Sequence, residues 1–223
     1  MDALSVCAVF KNEAQYLSDW LGFHFGAGVD HFIPYDDGSD DNPFEVLRPW
    51  VEKGIVTVLQ SSGRPQRELY NHCLREQRKR TAWLAFLDLD EYLFSPTGKN
   101  PKESLDSYDQ EVAIFVYWHL FGSGGHLRRP NIPVPLSYSF CLSLRDQFTD
   151  TFCNGVEPDK SDYVTGWSLD GKCVVRPEMV ERQGVHKPVG LYGGGLINEK
   201  RNQAVQRSAE GSPSAELLRI NHY

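Results

Sequence analysis

Two aspartates, Asp88 and Asp90, follow the apolar run of residues 83–87 with a single leucine between them. On an extended backbone, side chains two residues apart point the same way, so both carboxylates should share a side while Leu89 faces the core. Two ionised carboxylates this close repel each other unless a cation lies between them. Carboxylate oxygens suit Mg²⁺, Mn²⁺ or Ca²⁺, and two protein ligands leave positions open for phosphate and water. The spacing therefore predicts a divalent-metal site that binds a diphosphate.

Alternating strand and helix signals in the first half of the chain position these aspartates. Short apolar runs predict buried strands at residues 4–10, 30–35, 55–60 and 83–87, with amphipathic or proline-started helices between them. Strands that alternate with helices form parallel sheets through right-handed crossovers. We therefore expect an α/β fold with a central, mostly parallel mixed sheet flanked by helices.

Three polar clusters fall where predicted strands end: Lys11 to Glu13, Asp36 to Asp41, and Asp88 to Glu91. Ligands of such sheets bind beyond the carboxyl ends of the strands, which favours a metal site over a solvated turn at Asp88. Asp and Gly also favour tight turns, so within the acidic turn we single out Asp37 alone as a binding residue. Asn12 is predicted to cap the first helix.

The second half of the chain carries less regular signals. Residues 112–121 predict a further strand, and residues 172–176 and 217–222 predict two late strands. After the strand at residues 112–121, residues 122–135 are rich in Gly and Pro and predict a long loop, a feature that is often functional in compact domains.

Length, charge and cysteine content limit the function classes. The 223 residues fit one domain, and the net charge of −7 without a basic block disfavours binding to nucleic acid. We find no signal peptide, no apolar run of membrane-spanning length and no CxxC spacing, so a cytoplasmic location is expected. Strand-like sequence that begins at Ala3 and an abrupt end at Tyr223 predict a domain excised from a longer protein.

Five stretches, in order along residues 4–223, carry a family resemblance. They are KNEAQYLSDW with the later FHFGAGVDHF, YDDGSDD, WLAFLDLDEY, WHLFGSGGH and the terminal INHY. Together they resemble GT-A glycosyltransferases of the family 2-like and family 92-like type. The resemblance implies a transferase that moves a sugar from a UDP-sugar to a hydroxyl acceptor such as a glycan, with Mn²⁺ or Mg²⁺ as cofactor. It also implies a nucleotide-binding half, residues 1–95, and an acceptor half, residues 96–223.

The same resemblance implies roles for individual residues. Asp88 and Asp90 would bind metal and diphosphate, and His222 would be a third ligand whose nitrogen favours Mn²⁺. The residues expected around the nucleotide are Lys11, Asn12, Asp37, Arg67, Asn71 and Asp88. The residues expected around the sugar or acceptor are Trp118, Phe121, Gly122 and Ser123.

Inversion at the anomeric carbon needs a general base near the acceptor hydroxyl. His126, Glu91 and Asp170 are the candidates, and the sequence does not choose among them. Two alternatives remain open at this point: a metal-dependent phosphohydrolase or nucleotidyltransferase using the same aspartates, and a non-catalytic module that binds nucleotide sugars.

Overall fold

The computed structural model describes residues 1–141, 170–204 and 214–223. The strands are β1 (Asp2–Phe10), β2 (His31–Asp36), β3 (Leu59–Gln60), β4 (Thr81–Phe86), β5 (Glu91–Phe94), β6 (Ala113–Leu120), β7 (Gly171–Val175), β8 (Val180–Gln183), β9 (Pro188–Leu191), β10 (Leu196–Asn198) and β11 (Arg219–His222). The α-helices are α1 (Ala14–Gly26), α2 (Pro43–Glu52), α3 (Gln66–Gln77), α4 (Pro101–Leu105) and α5 (Val134–Ser137).

A mixed sheet of nine strands forms the centre of the described residues, in the order β3-β2-β1-β4-β7-β6-β11-β5, with β10 paired beside β6. The strands β1 to β4 pair in parallel, whereas β7 runs antiparallel to both β4 and β6. The terminal strand β11 lies between β6 and β5, parallel to the first and antiparallel to the second. The predicted α/β fold with a mostly parallel mixed sheet is confirmed.

Helices cover both faces of this sheet. The face of α1 that carries Leu17, Trp20, Leu21 and His24 is buried, as its spacing predicts, and joins a core shared with α2. On the opposite face, the apolar side of α3 packs on β1 and β4. This three-layer arrangement fixes the carboxyl ends of β1, β2 and β4 along one edge.

Several local expectations differ from the structure. Asn12 does not cap α1; its side chain accepts a hydrogen bond from Asp40 N, and Asp41 instead accepts one from Ala14 N. The third predicted strand is reduced to two residues, preceded by an isolated bridge at Val56. Strand β5, immediately after the aspartates, has no counterpart in the prediction, because the apolar pattern alone does not mark where β4 ends.

Candidate functional site

Asp88 and Asp90 lie in a turn and not at the end of an extended strand. Strand β4 ends at Phe86, and Glu91 N donates to Asp88 O over 3.1 Å, which closes a four-residue turn before β5. Leu89 is buried, as predicted, while Asp88 is partly exposed and Asp90 is exposed. The turn gives the two carboxylates different surroundings. The extended strand assumed in the sequence analysis would have given them the same surroundings.

Asp88 is held by three side chains. Lys172 Nζ lies 2.7 Å from Oδ2, while Gln66 and the Tyr70 hydroxyl donate to Oδ1 over 2.8 and 3.1 Å. Lys172 is 1% exposed, although Lys is almost never buried without a partner. A buried lysine already pairs with Asp88, so charge repulsion alone does not require the two aspartates to share a metal ion, and their role as metal ligands stays a prediction.

Glu91, a candidate base, is fully buried beneath the turn. One of its oxygens accepts from Asp88 N over 2.9 Å, and the other lies 3.8 Å from Lys172 Nζ. Burial raises the pKa of Glu91 to about 8, against the opposing effect of the Lys172 charge. Burial lowers the pKa of Lys172, but the charges of Glu91 and Asp88 outweigh it and leave that pKa above its ordinary value. Glu91 thus supports the turn from below and presents no exposed oxygen to a substrate.

Asp90 and His222 form the exposed part of the site. Strand β11 pairs antiparallel with β5, with His222 opposite Glu91, and this brings His222 Nε2 to 3.2 Å from Asp90 Oδ2. The side chain of His222 is 27% exposed and that of Asp90 is 51% exposed, so a ligand can reach the donor atom of each residue. Within residues 1–141, 170–204 and 214–223, no three His, Cys, Asp or Glu side chains are grouped closely enough to hold a metal ion. A metal bound here would have two protein ligands, an arrangement that suits an ion completed by phosphate and water.

A polar cleft of about 510 Å³ opens at the ends of β1 and β2, lined among others by Lys11, Glu13, Asp37, Arg64 and Gln66. We call it the polar cleft. Asp37, at its wall, accepts a hydrogen bond from the Ser61 hydroxyl. Gln66 connects this cleft to the aspartate turn, because it also donates to Asp88.

Other residues predicted to bind the nucleotide lie outside the polar cleft. Arg67 is exposed on α3, and Arg64, which the sequence analysis did not single out, lines the cleft. Asn71 exchanges two hydrogen bonds with the Gln183 backbone, at 2.9 and 2.7 Å, and so ties α3 to β8. Asn12 adopts a left-handed conformation, with φ of 55°, and joins the end of β1 to the acidic turn.

A second cleft of about 400 Å³, which we call the aromatic cleft, is lined in part by Asp90. Its lining includes the predicted residues Phe121, Gly122 and Ser123. The side chains of Glu13, Tyr16, Leu89, Asp90, Val134, Tyr138 and Tyr223 complete it. Glu13 borders both clefts, and burial raises the pKa of its carboxyl group despite the opposing Lys11 N–H, with the charges of Asp90 and Asp88 adding to the rise.

Trp118 contacts two histidines. Its ring centroid is 4.5 Å from that of His222 and 5.4 Å from that of His186. Asp170, a candidate base, lies beside His186, with 3.8 Å between the carboxylate and Nδ1. The third candidate, His126, is exposed in the loop after β6, where its ring contacts Tyr138. His186, to which the sequence analysis gave no role, thus contacts Trp118 and lies beside Asp170, two residues that were predicted for the site.

Comparison with known families assigns the chain. The family model of glycosyltransferase family 92 matches residues 2–210. The chain belongs to glycosyltransferase family 92. Family membership and the strand order together confirm the GT-A type of α/β fold expected from the sequence.

Individual relatives of this family 92 chain are more distant. A glycosyltransferase family 92 protein of Oryza sativa subsp. japonica is 28% identical over 150 residues, 65% of this chain and 26% of the relative. Galactan β-1,4-galactosyltransferase GALS3 of Arabidopsis thaliana is 34% identical over 110 residues, 43% of this chain and 22% of the relative. The chain thus spans about a quarter of the length of the curated relatives it matches.

Among solved structures, that of S. aureus TarS residues 1–349 is 15% identical, with a TM-score of 0.49 over 79% of this chain and 48% of that chain.

The described part of the family 92 chain contains no helix long and apolar enough to cross a membrane.

Proposed function

We propose that this family 92 chain is a metal-dependent glycosyltransferase domain that moves a sugar from a UDP-sugar to a hydroxyl group of a glycan, with inversion at the anomeric carbon. The observation that carries the proposal is that the aspartate turn adjoins both clefts: Asp88 bonds Gln66 of the polar cleft, and Asp90 lines the aromatic cleft. A nucleotide sugar has a polar end and a carbohydrate end joined by a diphosphate, and these three parts correspond to the three surfaces.

The polar cleft supports the nucleotide assignment. Asp37 and Lys11 offer an acceptor and a cation, while Arg64 adds a second positive charge against phosphate. The half formed by residues 1–95 supplies this cleft, consistent with its expected role in nucleotide binding.

The aromatic cleft supports the assignment of a carbohydrate ligand. Tyr16, Phe121, Tyr138 and Tyr223 provide ring faces and hydroxyl groups, the combination that suits a molecule with apolar faces and polar edges. The relatives named galactan β-1,4-galactosyltransferases favour galactose as the first sugar to test.

Asp90 and His222 are the residues that would hold the metal. A carboxylate oxygen and an imidazole nitrogen, exposed and 3.2 Å apart, form a donor set that suits Mn²⁺. When bound, the ion would stabilise the negative charge that develops on the departing diphosphate. Asp88, which is held by Lys172 and Gln66, would instead fix the shape of the turn that presents Asp90 to the diphosphate.

Isothermal titration of UDP with and without Mn²⁺ tests the proposal, followed by UDP release from UDP-galactose. We expect Mn²⁺ to strengthen UDP binding at least tenfold, because two phosphate groups share the ion. Equal affinity with and without the ion, combined with no UDP release, would contradict the proposed function. Release of phosphate or pyrophosphate in place of UDP would favour a phosphohydrolase.

A further inference from the structure

His186 and Asp170 form a pair outside the aspartate turn, and the backbone fixes which nitrogen of His186 carries a proton. His186 Nδ1 lies 3.1 Å from Gly171 O. A carbonyl oxygen can only accept a hydrogen bond, so Nδ1 must be the protonated nitrogen of the neutral ring. The lone pair of that ring is then on Nε2, which makes Nε2 the basic atom.

Asp170 lies beside this ring. Its carboxylate is 3.8 Å from His186 Nδ1, and the side chains of Asp170 and His186 are 13% and 30% exposed. A histidine whose Nδ1–H is oriented by a fixed acceptor, with a carboxylate beside the ring, is the type of arrangement that serves as a general base in hydrolases.

The position of the pair relative to the aspartate turn follows from the sheet. Trp118 N donates to Asp170 O over 3.0 Å, so Asp170 lies opposite Trp118 on β6, while Lys172 lies opposite Val116. Asp170 and Lys172 are two residues apart and share a face. The strand that carries the counter-charge of Asp88 therefore also carries the partner of His186.

The ring of Trp118 connects His186 to the exposed part of the site. It contacts His222, beside the carboxylate that would face the diphosphate, and it also contacts His186. Displacement with inversion places the attacking hydroxyl and the leaving group on opposite sides of the anomeric carbon. The base must therefore be accessible near the metal ligands. His186 is partly exposed and lies one aromatic ring away from His222, whereas Glu91 is fully buried.

We propose that His186 is the catalytic base of the transfer and that Asp170 is the positioning residue that supports it, an inference that rests on the proposed function. The acceptor oxygen forms a bond to the anomeric carbon while the bond from that carbon to the diphosphate oxygen breaks. UDP leaves with the electron pair, and the acceptor proton moves to His186 Nε2. No further reactant is needed.

The test measures UDP release from UDP-galactose with Mn²⁺, with water and galacto-oligosaccharides as acceptors, on the 223-residue chain. We expect His186→Ala to lower the rate at least about 100-fold, the usual contribution of a general base. UDP affinity should stay within about twofold of wild type, and added imidazole should restore part of the rate of His186→Ala.

Two variants keep the test decisive if His186→Ala folds poorly. His186→Gln has no basic nitrogen but keeps a polar side chain of similar size at this partly exposed position, so it should remain folded and slow. Asp170→Asn should lower the rate by a smaller factor than His186→Gln. The matched control is His31→Ala, a histidine on β2 that bonds Thr57 far from the turn, which should keep the wild-type rate.

The outcomes separate the two proposals. An active wild type whose His186→Gln variant retains a rate within threefold overturns the base assignment alone. The base assignment is also overturned if His186→Gln loses rate and UDP affinity in equal proportion, because His186 would then only bind the donor. A wild type that releases no UDP with any acceptor overturns the proposed function and, with it, this inference.

Discussion

Replacing Lys172 with methionine removes the positive charge beneath the aspartate turn while keeping the length of the side chain. Asp88 then loses the 2.7 Å contact to its Oδ2, and Glu91 loses the cation that lies 3.8 Å from its carboxylate. Lys172 is 1% exposed, so water cannot take the place of the missing ammonium group. The variant therefore leaves two acidic groups facing an apolar side chain.

The expected cost depends on pH. A charge-assisted hydrogen bond contributes roughly 1.5–3 kcal/mol, and Asp88 is partly exposed, so we expect a loss of about 2 kcal/mol at pH 6. For a chain of this size, that loss lowers Tm by about 4–8 °C.

At pH 9 the cost should be larger. The pKa of Glu91 in the folded chain is already raised to about 8, so its stabilising effect is present at low pH and is lost as pH rises through 8. Without the Lys172 charge this pKa rises further, and each additional unit adds about 1.4 kcal/mol to the loss at pH 9.

Urea unfolding of wild type, Lys172→Met, Glu91→Gln and the double variant at both pH values checks this reasoning. The double variant should lose the extra cost at pH 9, because the neutral amide has no charge left to bury. A loss below about 0.5 kcal/mol at both pH values would refute the role of Lys172 as counter-charge. So would an equal loss at pH 6 and pH 9.

Three further predictions concern other charged or titratable groups. Asp90→Asn should abolish the Mn²⁺-dependent gain in UDP affinity and cost less than about 0.5 kcal/mol of stability, because Asp90 is exposed. Asp88→Asn should cost about 1–2 kcal/mol of stability. Titration calorimetry measures the effect on affinity, and urea unfolding measures the effect on stability. Burial lowers the pKa of His24 to about 4, so the wild type should lose stability as pH falls from 6.5 to 4. His24→Gln should lose less stability over that interval. Equal slopes of unfolding free energy against pH for the two proteins would contradict this prediction. Glu199 is fully buried and accepts hydrogen bonds from the Ser214 hydroxyl and three backbone N–H groups. Glu199→Gln should therefore lower the free energy of unfolding by about 2–3 kcal/mol, as measured by thermal unfolding. A loss below about 0.5 kcal/mol would contradict the prediction.

The sequence predicted the first half of the fold well because its signals are local. The apolar run of β1, the spacing of Leu17, Trp20 and Leu21 in α1, and the proline that starts α2 each act within one element. Strands β8 to β10 were missed because they are short and half exposed, so they lack the apolar run that marks a buried strand.

The site was predicted less completely, for a reason of chain separation. Lys172 lies 84 residues from Asp88, and only the antiparallel pairing of β7 with β4 and β6 brings them together. No spacing rule connects two such positions. One signal was available: a lone lysine inside the apolar strand β7 is a charge that needs a buried partner. Read that way, Lys172 would have pointed to the aspartates.

The asymmetry between the two aspartates decides how the site should be interpreted. Because Lys172 neutralises Asp88, a metal is not required for the fold to tolerate the aspartate turn, and the described chain adopts that turn with Lys172 in place. In the proposed function, metal binding would depend on Asp90 and His222, which a ligand can reach and which would gain most from a shared cation. It follows that removing the metal should weaken UDP binding without unfolding the chain. Removing Lys172 should do the reverse, lowering stability first and affecting nucleotide affinity only through the position of Asp88.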